Sequence, residues 1–216
     1  MATPSRTLNV GVIGLGLAAA SVMPAMVAMP HVNLVAGADI NPRALQAFKE
    51  QYGAKTYTSI EVLCDDPDVD TVWIATPNTC HCPHTILAAE RGKHVIVEKP
   101  MAISLTEAHR MIEAAERHGV QLLCGGSRSF SPVVRKMREV IVSGTLGRLR
   151  AMTTWSATDW MLRPRRPDEL DVSQGGGVAY RQAPHQVSSG TCRSRAHPPW
   201  EWCRSRARGR LSASLR

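Results

Sequence analysis

The 216-residue sequence is short of aromatic side chains, with two Phe, three Tyr and five Trp. A surface that stacks nucleic-acid bases on rings is not expected from so few. A disulfide pattern is also missing. Cys64, Cys80, Cys82 and Cys124 lie in the first two-thirds, Cys192 and Cys203 near the end, without paired spacing. Free thiols in a reducing cytoplasm are the expected state. Metal-ligand spacing is absent too: Cys80-His81-Cys82 is a C-x-C without a second pair, and zinc sites use two such pairs at wider spacing. No metal is expected. Val10 to Met29 is almost wholly apolar, but Gly11, Gly14 and Gly16 break it early and Pro24 interrupts its middle. It is not a clean membrane span or secretory signal. Strand, turn and buried helix describe it better, so a cytoplasmic protein without a membrane partner is expected.

Acidic residues are missing from the end of the chain. Residues 188–216 hold seven arginines against one acid, Glu201. Taking these from the totals of 26 basic and 18 acidic residues leaves 19 and 17 in the remainder. The net charge of +8 therefore belongs mostly to the tail. A nucleic-acid partner would rest on that segment alone, and none is expected. The tail has no apolar period and contains Pro198-Pro199, a composition without the side chains to dock on a core.

What is present is a repeated strand–helix order. Strands are expected at Leu8–Ile13, Val32–Ala38, Thr71–Ala75, His94–Val97 and Val120–Cys124. Helices are expected from Leu17 to Ala28, Pro42 to Tyr52, Pro83 to Arg91 and, after a capping box of Ser104 and Glu107, on to His118. Strand runs without polar alternation suit a parallel sheet covered on both faces. The reading is an α/β domain with a doubly wound parallel sheet over residues 1–126. An incomplete α+β domain over 127–187 would follow, opening with a helix at Pro132–Ser143 and a strand at Arg148–Ser156, then a disordered basic tail over 188–216.

The chemistry begins at Gly14-Leu15-Gly16-Leu17-Ala18-Ala19, a G-x-G-x-x-A turn between a strand and a helix. Gly14 makes the tight turn, Gly16 lets a pyrophosphate approach the backbone, and Ala19 is small enough for helix-on-sheet packing. The phosphates would sit on the helix N-terminus. Asp39, ending the second strand, is placed to bind ribose hydroxyls. This implies a Rossmann domain that binds NAD; Arg43, four residues on, leaves NADP open. Ala75-Thr76-Pro77-Asn78 and Glu98-Lys99-Pro100 end two more strands, where an open α/β sheet lines its ligand crevice. Lys99 is a candidate acid/base or substrate-binding group there.

Ile74-Ala75-Thr76-Pro77-Asn78 with His81, then Gly92-Lys93-His94-Val95 leading to Glu98-Lys99-Pro100, resemble the Gfo/Idh/MocA oxidoreductase family. The resemblance implies NAD(P)-dependent oxidation or reduction of a sugar, cyclitol or diol carbon. It adds Thr76, Pro77, Asn78, His81 and Glu98 to the cofactor side and gives Lys99 the reacting hydroxyl. It extends through Gly126–Phe130, Ser143–Leu149, Thr158-Asp159-Trp160, Arg163–Pro167, Gly175–Gly177 and Gln182–Val187. There the chain is most similar to phthalate 4,5-dihydrodiol (4,5-dihydroxyphthalate) dehydrogenases. That subgroup implies His185 as a second catalytic acid/base beside Lys99. Arg163, Arg165 and Arg166 could pair with substrate carboxylates or form a solvated basic loop.

The sequence departs from the family pattern at Arg128, Arg181 and Ser188, and the resemblance stops at Val187. A reading-frame change there is inferred, with impaired activity and a doubtful homo-oligomer where intact relatives associate through their second domain. A small-molecule substrate is the expected partner. The competing expectations are a sugar or cyclitol dehydrogenase and a dinucleotide-binding module without catalysis.

Overall fold

The computed structural model describes residues 7–126, 130–150 and 171–174. Within them lie six parallel strands: β1 (Leu8–Ile13), β2 (Val32–Ala38), β3 (Lys55–Tyr57), β4 (Thr71–Ile74), β5 (His94–Val97) and β6 (Leu122–Cys124). The helices are α1 (Leu17–Val27), α2 (Pro42–Tyr52), α3 (Ile60–Asp65), α4 (His81–Glu90), α5 (Leu105–Arg117) and α6 (Pro132–Val142). The sheet order is β3-β2-β1-β4-β5-β6. Connections run outward in opposite directions from β1 and β4, which leaves a crevice above their carboxyl ends.

The β-branched strands are buried on both faces, with successive side chains pointing opposite ways. Val10, Val12 and Trp73 face Ala19 and Met23 of α1 and Phe48 of α2. Ile13, Val72, Ile74, Val95 and Val97 face Leu63 of α3, Cys82 and Ala88 of α4 and Met111 of α5. Trp73 is 2% exposed, which makes it the largest side chain holding the sheet against α1 and α2. Gly37 makes room for Phe48, whose ring would lie 2.7 Å from an added Cβ.

Helix ends follow local chemistry. The Asn41 side chain caps α2 by accepting from the Arg43 N–H, and Pro42 occupies the first turn. Gly53, with φ +65°, closes it. Ser104 caps α5 through the Glu107 N–H, while the Glu107 carboxylate reaches one residue further back than a capping box requires, to the N–H of Ile103. α1 passes through Pro24 without ending.

The structure adds two elements to the expected list. β3 has three residues at the sheet edge, and α3 has six, capped by Ser59. Neither is long enough to display a period. Helix α4 starts at His81, directly after a 3-10 turn at Asn78–Cys80, two residues before the expected Pro83. Helix α6 starts where expected and ends one residue earlier, at Val142, yet none of its side chains is buried. Arg148–Arg150 are not in a strand. The rest of that expected strand lies outside the described residues, as do Arg128, Arg163, Arg165, Arg166, His185 and the 188–216 tail. No helix among the described residues is long and apolar enough to cross a membrane.

Candidate cofactor crevice

Strand register sets the rim of the crevice. Ile13 pairs with Ala38 and with Ile74, Ile74 with Val97, and Val97 with Cys124. These strands end level, so the residues just beyond them (Gly14, Asp39, Ala75, Glu98 and Gly125) share one edge. Cross-links hold the rim: the Gly14 N–H donates to the Ala38 carbonyl at 2.8 Å, Ala75 to Ile13 at 2.8 Å, Glu98 to Ile74 at 2.9 Å and Gly125 to Val97 at 2.8 Å.

The two glycines of the first turn have different reasons for being glycine. Gly14 has φ +89°, and a Cβ there would lie 2.9 Å from the backbone of Ala75 and Thr76. The fold itself requires it. Gly16 is extended, with φ −79° and ψ −166°, and a Cβ on it would meet nothing within 4 Å. Packing among the described residues does not require a glycine at that point. Gly16 also precedes α1, whose N-terminus has neither a side-chain cap nor an acid in its first turn. N–H groups with a positive helix end and an open approach suit a phosphate. Ala19, fully buried one turn later, lets α1 sit close to the sheet.

Asp39 ties this turn to the next loop. One carboxylate oxygen accepts from the Leu15 N–H at 2.7 Å and the other from the Asn41 N–H at 2.8 Å. Each oxygen keeps a lone pair for a hydroxyl. Arg43 stands exposed at the start of α2. Ile40, between them, is 92% exposed.

The second corner is made by the loops leaving β4 and β5. Thr76 is half-buried, Pro77 exposed and Asn78 half-buried, leading into the 3-10 turn. Glu98 and Lys99 are half-buried, and the Lys99 N–H donates to the Glu98 carboxylate at 3.2 Å. The Lys99–Pro100 peptide is cis. An added Cβ on Gly125 would lie 3.4 Å from the Glu98 carboxylate. Burial, then the Glu98 charge, pushes the neighbouring Cys124 thiol up.

His81 occupies a different place from the expected one. It does not reach out to a cofactor: its ring is 1% exposed, between the carbonyls of Thr76 and Pro100. It starts α4, so the turn after β4 directs its side chain inward. Sequence reasoning also missed His84, whose Nδ1 lies 3.1 Å from the Thr76 hydroxyl. Its three-residue offset from His81, one helix turn, was the available signal. The Cys82 thiol points to the Glu107 carbonyl at 3.7 Å.

A glycine turn under an open helix end, with an acid at the neighbouring strand tip, is the arrangement of an NAD-binding Rossmann fold. The sequence matches the oxidoreductase family of that fold, GFO_IDH_MocA, over residues 8–125. The chain belongs to this family.

It is 41% identical over 181 residues to a 1-carboxy-3-chloro-3,4-dihydroxycyclohexa-1,5-diene dehydrogenase of Comamonas testosteroni, covering 83% of this chain and 46% of that one. A solved structure from Bordetella bronchiseptica RB50, described as of a dehydrogenase type, superposes with a TM-score of 0.79 at 42% identity. That match covers 85% of this chain and 48% of the other. The WlbA dehydrogenase of Bordetella pertussis, solved with NADH and UDP-GlcNAcA, gives a TM-score of 0.64 at 28% identity, covering 68% and 43%. The Gfo/Idh/MocA chain described here spans about half the length of the relatives it matches.

Proposed function

We propose that this chain carries the cofactor half of an NAD(P)-dependent dehydrogenase acting on a hydroxyl-bearing carbon, with NAD preferred. The observation behind this is the space beside Gly16, which no packing among the described residues requires and which leads onto the uncapped start of α1. There the free N–H groups would hold the pyrophosphate. Asp39 would take the ribose hydroxyls, while its charge disfavours a 2′-phosphate. Arg43 is the residue that could offset that charge for NADP. Thr76, Pro77, Asn78 and Glu98 would border the nicotinamide end, at the tips of β4 and β5. When bound, the nicotinamide supplies the hydride acceptor or donor.

Lys99 would bind the reacting hydroxyl and move its proton, with His185 as the second acid/base group. Residues 127–187 would open the substrate domain. The substrate class we favour is a cyclic vicinal diol bearing a carboxylate. The Comamonas relative's named substrate is of that class, and Arg163, Arg165 and Arg166 offer guanidinium groups for a carboxylate. A sugar substrate is the second reading, because the WlbA structure holds a nucleotide sugar.

The test is a fluorescence titration of the full chain with NADH and with NADPH. Saturable NADH binding that is tighter than NADPH binding supports the reading. Binding of neither, by a folded chain, overturns it.

A further inference from the structure

His81 is a buried polar ring at a junction. Its Nδ1 lies 2.8 Å from the Pro100 carbonyl oxygen and its Nε2 3.0 Å from the Thr76 carbonyl oxygen. Those carbonyls belong to two different loops, one leaving β4 and one leaving β5. Pro100 directly follows Lys99, and Thr76 opens the stretch that borders the crevice. The ring is therefore a bridge between the loop of the candidate acid/base group and the loop of the candidate cofactor contact.

Packing alone does not call for a histidine here. An apolar side chain of like size would fill the space without the cost of desolvating two ring nitrogens. Such a side chain would take this ring's donors away from the carbonyls of two half-buried residues. A neutral imidazole donates to only one of them and sets a lone pair against the other oxygen, so the form that ties both carbonyls is the imidazolium, which donates to each. Burial pushes His81 below the ordinary histidine range, and the Pro100 and Thr76 carbonyls, then the Glu98 and Glu107 carboxylates, pull it back. The adjacent His84 ring holds the Thr76 hydroxyl at 3.1 Å, so two histidines of one helix turn grip that residue by its two oxygens.

We propose that His81 is a positioning residue: by tying the Thr76 carbonyl to the Pro100 carbonyl it sets where the Lys99 amine stands against the cofactor loop. It touches neither ligand nor reacting atoms. The proposal rests on the reading of Lys99 as the acid/base group.

The experiment is residue-resolved amine labelling of the full chain, read by mass spectrometry without and with NADH. It needs no turnover. In His81→Phe and His81→Leu, which strip the donors, Lys99 labelling should change by about threefold or more, the scale of one lost net hydrogen bond. Lys49 and Lys136, exposed and outside both loops, should label as before. His81→Gln, which keeps one donor, should return Lys99 toward its original rate. A folded His81→Phe or His81→Leu chain with unchanged Lys99 labelling overturns the proposal.

The unaltered chain supplies a measurement that does not depend on a variant folding. A His81 ring N–H must exchange with water far more slowly than that of exposed His118. Equal exchange overturns the bridge. Protection of Lys99 by NADH tests the other reading separately. Protection without any response to His81 would sink the positioning role alone. Response to His81 without protection would leave the bridge standing and remove Lys99 from the cofactor's side.

Discussion

The two corners of the crevice are built from different materials. Where β1 ends, the turn is fixed mainly by backbone geometry, with Gly14 at positive φ and a main-chain bond to Ala38, and one side chain, the Asp39 carboxylate, accepts from two N–H groups. Where β4 and β5 end, side chains hold the loops: His81 across two carbonyls, His84 on a hydroxyl, Glu98 on the N–H of Lys99. A corner set by a positive φ and a close backbone approach tolerates no other residue type at Gly14. A corner made of side chains can keep its path under substitution while losing its exact setting.

The sharpest way to break this contrast is Gly14→Ala. A methyl group 2.9 Å from the backbone of the neighbouring loop, at φ +89°, should cost about 2–4 kcal/mol, read as a shift of the urea midpoint. A loss near zero would mean the first corner is as adaptable as the second.

Asp39→Ala should cost about 1–3 kcal/mol by removing the charged acceptor of the Leu15 and Asn41 N–H groups. It should also weaken NADH binding more than NADPH binding. Equal weakening would remove the ribose assignment.

Thr76→Val tests the second corner and should cost only about 1 kcal/mol, because one hydroxyl contact is lost and shape is kept.

The same corner should show in acid. Burial first, then the charge of His81, holds His84 below its ordinary value of 6.5, against a smaller pull from Glu61. The unfolded chain then binds protons that the folded one refuses, so this contribution is present above that value and is lost as pH falls below it. Denaturant midpoints measured from neutral pH downward should fall less steeply in His84→Gln. An identical slope would free His84 from this role.

The smallest effect on stability is expected from Gly16→Ala, about 1 kcal/mol or less, because its Cβ meets nothing. NADH affinity should nevertheless drop by about tenfold or more as the methyl group keeps the pyrophosphate off the N–H groups. Unchanged affinity would mean that the open space beside Gly16 serves no phosphate.

The same contrast explains what the sequence made legible. Gly14, Gly16, Ala19 and Asp39 could be placed because backbone demands select residue types at fixed spacing, and the strands carry β-branched runs long enough to see. β3 and α3 escaped because three and six residues carry no period; their places depend on Ala36–Ala38 pairing and on a lone Ser59 cap. His81 was legible as a residue and not as a contact. Motif position places it beside the crevice, but only the inward start of α4 shows that its ring points into the protein. Helix α6 teaches the same limit from the other side. Its apolar spacing matches that of α5, yet α5 buries Met111, Ala114 and Ala115 while α6 buries nothing. A pattern announces that a face wants a partner without naming the partner.

The level ending of β1, β2, β4, β5 and β6 has a consequence for how such a chain can change over generations. Everything below Ile13, Ala38, Ile74, Val97 and Cys124 is interlocked core, in which a substitution must be answered by its neighbours, as Gly37 answers Phe48. Everything above is a row of tips, each anchored by a main-chain bond and tied to a neighbour through a few side chains, Asp39 at one corner and His81 at the other. A change at an exposed position such as Pro77 leaves the packing beneath undisturbed, whereas one at Thr76 must be answered by His81 and His84. Descendants of one fold can thus acquire new substrates tip by tip, while the inherited socket for the shared cofactor stays in place.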